Sequence, residues 1–327
     1  MAELNDDLFG GLDEKLDFLQ EKTKTSTDGL YRVDLSKAKD KKKGYRAVIR
    51  FLPNLTKDGK LEQSAIEKIS HYVDIKNPKE LSGYYDSPSN FDEECPLSEL
   101  YWTMTNSKNA ILIDKAKCLN YSRKYYSYVL IIEDDQQPEL VGKIMVMQYG
   151  VTIKDKILAE KNGEISGVGC NVFDPSEGKD FVLVVKEIQT GDETYPDYKM
   201  SMFKPETSSL PIYFKEQGKF KNAPLGDNGK ISPEARGKVT EFLLDREHDI
   251  EDFAPKRLTE DQHGKITEIE NLLTGKVSNS FNESKSTNAT SNDFDLSDEK
   301  EDFEFEDNFS GGDSNATTVD DEDDFFS

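Results

Sequence analysis

The sequence predicts a mixed, β-rich fold: a small, strongly twisted barrel with an inserted irregular subdomain, then helices and a disordered acidic tail. Three observations predict it. Five short strand-like runs with one helical pattern midway lie between Tyr45 and Phe203, which suits a barrel better than the regular βα alternation of a parallel sheet. The stretch from Leu55 to Asn120 interrupts that pattern with polar, irregular sequence. Charge is concentrated at the ends: of a net −23, the residues from Glu283 onward hold sixteen Asp/Glu against two Lys.

In chain order, Leu12, Leu16 and Leu19 share one face of a short amphipathic helix behind Gly10-Gly11. Lys22 to Thr27 and Lys37 to Lys43 are basic. Tyr45 to Leu52 alternates as a strand and is stopped by Pro53. Tyr125 to Ile132, Lys143 to Tyr149, Phe181 to Ile188 and Lys199 to Phe203 are the other four strands, and Ile153, Ile157 and Leu158 mark the helix between the third and fourth. After Pro233, helical signals come from Val239, Phe242 and Leu243, then from Ile266, Ile269, Leu272 and Leu273. The expected organisation is a lead-in over 1–43, the barrel core over 44–203 with 55–120 inserted, packing loops and helices over 204–282, and the tail over 283–327. The tail cannot bury enough apolar surface to offset its backbone entropy, so it is expected to be disordered.

Composition narrows the function. Without the tail and the acidic first 21 residues, the segment 22–282 is close to neutral, so the acidity does not oppose a nucleic-acid partner. Cys95, Cys118 and Cys170 make no complete disulfide set and point to a reducing compartment. The N-terminus lacks a signal-peptide core, and no apolar run reaches membrane-spanning length. Catalysis has no support: His71, His248 and His263 sit in unrelated contexts, and no phosphate-cradling glycine loop or nucleophile elbow occurs. The acidic pairs Asp134-Asp135 and Glu93-Glu94 read as solvated surface carboxylates in turns.

The positive signal is aromatic residues interleaved with cations. Tyr121-Ser122-Arg123-Lys124-Tyr125-Tyr126-Ser127-Tyr128 holds four tyrosines and two cations in eight positions. Strand alternation sends Tyr126 and Tyr128 to one face and Arg123 and Tyr125 to the other. Such sets hold single-stranded nucleic acid, with rings stacking bases and cations neutralising phosphates, although tyrosines also serve as ordinary core. The competing reading is an acidic protein-interaction scaffold without nucleic-acid binding, supported by the net charge.

Ala47 to Pro53, the run from Tyr125 through Ile157 and Gly178 to Lys186 resemble, in order and spacing, the single-stranded DNA-binding proteins of T-even-like bacteriophages. The resemblance covers about residues 44 to 203 and implies an OB-fold core and cooperative, sequence-nonspecific strand coating in phage replication, recombination and repair, in the cytoplasm of the infected host. It implies DNA contacts from Arg46, Tyr85, Arg123, Lys124, Tyr125, Tyr126, Tyr149 and Phe181, with Met147 standing where the family usually has a tyrosine. The family's basic N-terminal contact to the neighbouring subunit finds its nearest match at Lys22 and Lys24. Asp320, Asp321, Asp323, Asp324, Phe325 and Phe326 are the candidate partner hook, which a cationic DNA cleft would also attract. The family's structural zinc, held by one His and three Cys, finds only His71 and Cys95 here. Ser98 takes the last ligand position, with Cys118 or Asp86 as the only substitutes, so no cofactor is expected.

Overall fold

In a computed structural model of the protein, residues 29–35, 44–164, 167–190 and 193–275 are described. The short strand β1 (Leu30–Tyr31) precedes β2 (Tyr45–Phe51), whose residues are all buried except Arg46. β2 is central because Ala47, Val48, Ile49 and Phe51 leave neither face polar. It pairs antiparallel with β5 (Leu119–Asp134) on one side and β7 (Asp180–Thr190) on the other. Between β2 and β5 come β3 (Ile66–Val73), β4 (Gly83–Asp86), α1 (Pro96–Asn106) and α2 (Ala110–Ala116). β6 (Ile144–Tyr149) and α3 (Val151–Asn162) follow β5, and β8 (Glu193–Asp197) and β9 (Met202–Phe203) both pair with β7. The hairpin β10 (Pro211–Phe214) and β11 (Lys219–Asn222), then α4 (Pro233–Leu244) and α5 (Glu260–Thr274), complete the order.

The expected β-rich, mixed body is present, but its strands do not close. Pairing runs β1-β6-β5-β2-β7-β8, with β3 and β4 branching from β5 and β9 from β7, and among the described residues no strand pairing joins the β6 side to the β7 side. β6 instead takes β1 as a parallel neighbour. The sheet nevertheless curls around one ring: Phe51 packs on Tyr149 (5.7 Å), Phe173 (5.8 Å), Phe181 (5.7 Å) and Phe203 (6.0 Å). Interior aromatic packing thus draws both ends of the sheet together without backbone pairing. The bulge between Val48 and Ile49 in the β2–β5 ladder adds twist at the centre of that curl.

The segment 55–120 is more regular than expected. β3 runs beside β5 over eight register pairs, Ile66↔Tyr126 to Val73↔Leu119. Its sequence, Ile-Glu-Lys-Ile-Ser-His-Tyr-Val, hides the strand because a polar residue falls on both faces. Long β5 therefore bridges two bodies, its lower half in the curled core and its upper half in the insertion. The last helix belongs to the insertion too: Ile266, Ile269 and Leu273 of α5 pack with Leu97, Leu100 and Met104 of α1. A full capping box, Thr259 with Gln262, starts α5 and Gly275 ends it in the left-handed region.

Alternation on β5 behaves as the pattern requires. Tyr125, Val129 and Ile131 face the curled core, while Tyr126, Tyr128 and Leu130 face a second core built with α4 and Phe253. Arg50 and Asp134 are two of the charged groups that lie inside. Arg50, 1% exposed, donates from Nε and Nη2 to Asp180 Oδ1 (2.9 and 2.7 Å) and from Nη1 to the Ser208 carbonyl (3.1 Å). Gly178 passes so close that an added Cβ would lie 2.9 Å from Arg50 Nη1, so only glycine fits there. Asp134 departs from the surface reading of its pair: it is 4% exposed and accepts from the Tyr31 hydroxyl (2.7 Å), the Tyr45 hydroxyl and the Gln136 and Gln137 amides. The turn after β5 folds this carboxylate inward as an anchor for two tyrosines. Asp135, Glu93 and Glu94 are exposed, Glu93 pairing with Arg257.

Candidate nucleic-acid interface

A cavity of about 550 Å³ opens where β5 leaves the curled core for the insertion. Its floor is the stacked pair Tyr125–Tyr149 (5.8 Å, 24°), brought together because Tyr125 and Tyr149 are direct cross-strand partners of β5 and β6. One wall is α3, contributing Lys154, Ile157, Leu158 and Lys161; Phe173 and Gln63 to Glu67 form the others. Arg123, two residues before Tyr125 on the same face, lies beside Glu67 (3.2 Å) and donates from Nε to the Tyr121 hydroxyl (3.2 Å). Glu67 also accepts from the Tyr125 hydroxyl (3.1 Å). Burial, then the Glu67 charge and hydrogen bond, push the Tyr125 phenol up to about 12, and burial does the same for Tyr149. Both rings are therefore neutral faces at ordinary pH. Lys154, Lys161 and Arg123 supply cations around them, against Glu67 within the lining and Asp155, which pairs with Lys154 (3.1 Å).

A larger hollow of about 810 Å³ lies between the β10–β11 hairpin and α4. It carries Glu216, Asp245 and Glu247 against Lys143 and Lys215, a balance unsuited to a polyphosphate chain. The smaller cavity has the right chemistry.

The structure separates the sequence-derived residues. Tyr125 and Tyr149 line the cavity, and Arg123 lies beside it, paired with the lining residue Glu67. Phe181 is fully buried against Phe203 (4.7 Å), and Tyr85 is buried in the insertion, donating to the Leu81 carbonyl (2.8 Å). Tyr126 faces away and stacks on Phe253 (5.6 Å, 13°). Lys124 points to the opposite face, across from Lys68, and Arg46 is an exposed residue paired with Glu133 (3.5 Å). Lys22, Lys24 and the tail residues Asp320 to Phe326 lie outside the described residues.

Two groups were missed. Lys154 and Lys161 sit seven apart on α3, a spacing that puts both on one side of a helix, and that signal was available. On the far face of the insertion, Tyr72 and Tyr84 are directly paired and in ring contact (4.8 Å), and Tyr84 is 72% exposed. In Tyr84-Tyr85 the solvent-facing ring is thus the first, and only the β3–β4 register decides that.

Inside the insertion His71, Ser87, Cys95 and Ser98 meet. His71 Nε2 lies 3.1 Å from Ser98 Oγ and 3.5 Å from Cys95 Sγ. Burial opposes ionisation of the Cys95 thiol, but hydrogen bonds with His71, Ser87 and Ser98 outweigh it and bring it down to about 6. Neither substitute ligand joins them: Asp86 pairs with Lys68 (2.9 Å), and among the described residues no three His, Cys, Asp or Glu, Cys118 included, are grouped to hold a metal.

Residues 43–273 match the family described as gp32 DNA binding protein like. The single-stranded DNA-binding protein of Enterobacteria phage T4 is 28% identical over 162 residues, covering 47% of this chain and 50% of that protein. The single-stranded DNA-binding protein of Enterobacteria phage T2 is 29% identical over 166 residues, covering 47% and 49%. The chain thus spans about half the length of the curated relatives it matches. The family and both relatives are described as DNA-binding proteins, none as an enzyme. Among the described residues no helix is long and apolar enough to cross a membrane.

Proposed function

The chain belongs to the gp32-like family of DNA-binding proteins, and on that premise we propose that it binds single-stranded DNA without sequence preference. The observation that carries this reading is the cavity where the Tyr125–Tyr149 stack lies under Lys154 and Lys161, with Arg123 beside it on Glu67. The Tyr125 and Tyr149 rings are 9% and 5% exposed, so a base reaches them by entering the cavity, where stacking gains roughly 1–3 kcal/mol and its phosphates meet the cations. Glu67 holds Arg123 and the Tyr125 hydroxyl in place when no strand is bound. We read the curled, unclosed core as an OB-type barrel open at one seam.

Labelled oligothymidylate, followed by anisotropy at low and high salt with duplex as competitor, tests the reading. Tight binding at low salt, steep weakening with salt and preference for the single strand are expected. No binding at low salt would leave the acidic interaction scaffold as the better account. A second route for the strand, over the Tyr72–Tyr84 ring pair, is favoured by the exposure of Tyr84 and by Lys68 and Lys124 on that face.

The finer parts of the proposal concern the chain ends. Lys22 and Lys24 contact the neighbouring subunit, so deleting residues 1 to 30 weakens clustering on long strands more than binding to a short oligonucleotide. Equal losses would sink that assignment. The acidic tail competes with DNA for the cationic cleft and, once displaced, recruits replication, recombination and repair proteins through Asp320, Asp321, Asp323, Asp324, Phe325 and Phe326. Removing residues 283 to 327 then raises DNA affinity, most at low salt; unchanged affinity would leave only the partner hook.

A further inference from the structure

His71, Ser87, Cys95 and Ser98 have the outline of a structural zinc site without its donors. On a tetrahedral zinc, a histidine nitrogen and a thiolate sulfur stand about 3.6 Å apart, given metal–ligand distances of about 2.0–2.1 and 2.3 Å. His71 Nε2 and Cys95 Sγ are 3.5 Å apart. The other two corners are hydroxyls. Ser98 Oγ is 3.1 Å from the same histidine nitrogen, and Ser87 hydrogen-bonds the same thiol while its own Oγ sits 2.9 Å from Ser89 Oγ. Structural zinc sites are built from four His or Cys donors, with at least two thiolates. Here a single thiolate would leave a net positive charge buried among Leu81, Leu97, Leu100 and Met104, with no carboxylate in the cluster to offset it. Among the described residues no group of three or more His, Cys, Asp or Glu is placed to hold a metal. The residues therefore do not fit the metal that the resemblance implies.

We propose that the insertion is organised by a metal-free polar hub, His71–Ser87–Cys95–Ser98, in which hydrogen bonds hold the elements that zinc would otherwise clamp. The hub ties β3 (His71) to the start of α1 (Cys95 and Ser98) and to the turn after β4 (Ser87). The second ring nitrogen lacks the partner that orients a metal-ligating histidine: His71 is 1% exposed, and its Nδ1 is buried without a hydrogen-bond partner. The hub also reaches the face of β5 that carries Arg123, since the His71 ring meets Tyr121 edge-on (5.7 Å, 74°) and Tyr121 accepts from Arg123. None of this depends on the DNA-binding reading.

The test uses the full chain produced in zinc-supplemented medium. No stoichiometric zinc by atomic emission, and a Tm unmoved by chelator, are expected. One zinc per chain whose removal lowers the Tm would overturn the proposal. The variant Ser87→Cys/Ser98→Cys supplies the missing donors. It should take up one zinc, give the tetrahedral thiolate spectrum with cobalt(II), and acquire a chelator-sensitive Tm. A well-folded double variant that stays metal-free would overturn the claim that the two serines occupy ligand corners. Ser98→Cys alone should bind cobalt(II) more weakly than the double variant and more tightly than the native chain. If the double variant does not fold, the single variant and the native metal content decide, and equal cobalt affinity in single variant and native chain counts against the proposal.

Discussion

Charge removal in the cavity gives the sharpest test of where DNA runs. In Arg123→Gln/Lys154→Gln/Lys161→Gln, three candidate phosphate contacts vanish while Tyr125 and Tyr149 keep their stack. Each contact to a single strand contributes about 0.7 to the slope of log affinity against log salt, so the slope should fall by about 2. Between 50 and 200 mM salt, three such contacts account for roughly a 20-fold loss of affinity, and the variant should lose that much less over the range. Arg123 carries an added effect: its removal strips Glu67 of its cation and leaves a carboxylate in the path of the phosphates. Affinity at low salt should therefore drop further than three neutralised contacts explain, and Glu67→Gln should recover part of it. Anisotropy of labelled oligothymidylate across a salt series reads both quantities, with thermal melting confirming the fold. The control is Lys215→Gln/Lys219→Gln/Lys221→Gln on the β10–β11 hairpin and its turn, which should leave the slope unchanged. An unchanged slope in the cavity variant, or an equal fall in the hairpin variant, refutes the placement.

Tyr84→Ala should leave the Tm untouched because the ring is 72% exposed, whereas Tyr85→Ala should destabilise the insertion; a loss of DNA affinity in Tyr84→Ala would move the strand's route to the Tyr72–Tyr84 face. Arg50→Met removes the buried partner of Asp180 but leaves Lys204 3.2 Å from the same carboxylate, so the cost in urea unfolding should fall below the about 3–5 kcal/mol of a fully orphaned charge; a loss under about 1 kcal/mol would mean the pair is solvated. Tyr45, Tyr125, Tyr128 and Tyr149 are all pushed up to about 12, chiefly by burial. A raised folded value means that the stabilisation is whole below pH 10 and is lost as pH rises towards 12, by on the order of a few kcal/mol for Tyr149 alone. Tyrosinate absorbance should then appear together with loss of native circular dichroism, and smooth titration near pH 10 with the fold intact would contradict it.

The sequence by itself determined the strands with dense β-branched and aromatic runs and the helices whose apolar residues recur at helical spacing. Tyr45 to Phe51 and Ile144 to Tyr149 follow from such runs, the opposite faces of Tyr125 and Tyr126 from a two-residue period, and Ile266, Ile269 and Leu273 from a helical one. It also put Arg123 and Tyr125 on one strand face, and in the structure both meet Glu67. It did not reveal β3, where polar residues fall on both faces, or β8, whose proline and acids resemble a loop. Only the tertiary structure decided which of two adjacent tyrosines meets solvent, since Tyr84 and Tyr85 differ only in the face that β3 pairing assigns them. Only it buried Asp134 under two tyrosine hydroxyls and set Ser87 beside Cys95, because these are contacts between residues distant in sequence. Local periodicity is fixed by the backbone's own geometry and is legible residue by residue; the contents of a cavity or a polar cluster depend on which elements come to lie across from one another, and that is settled by packing.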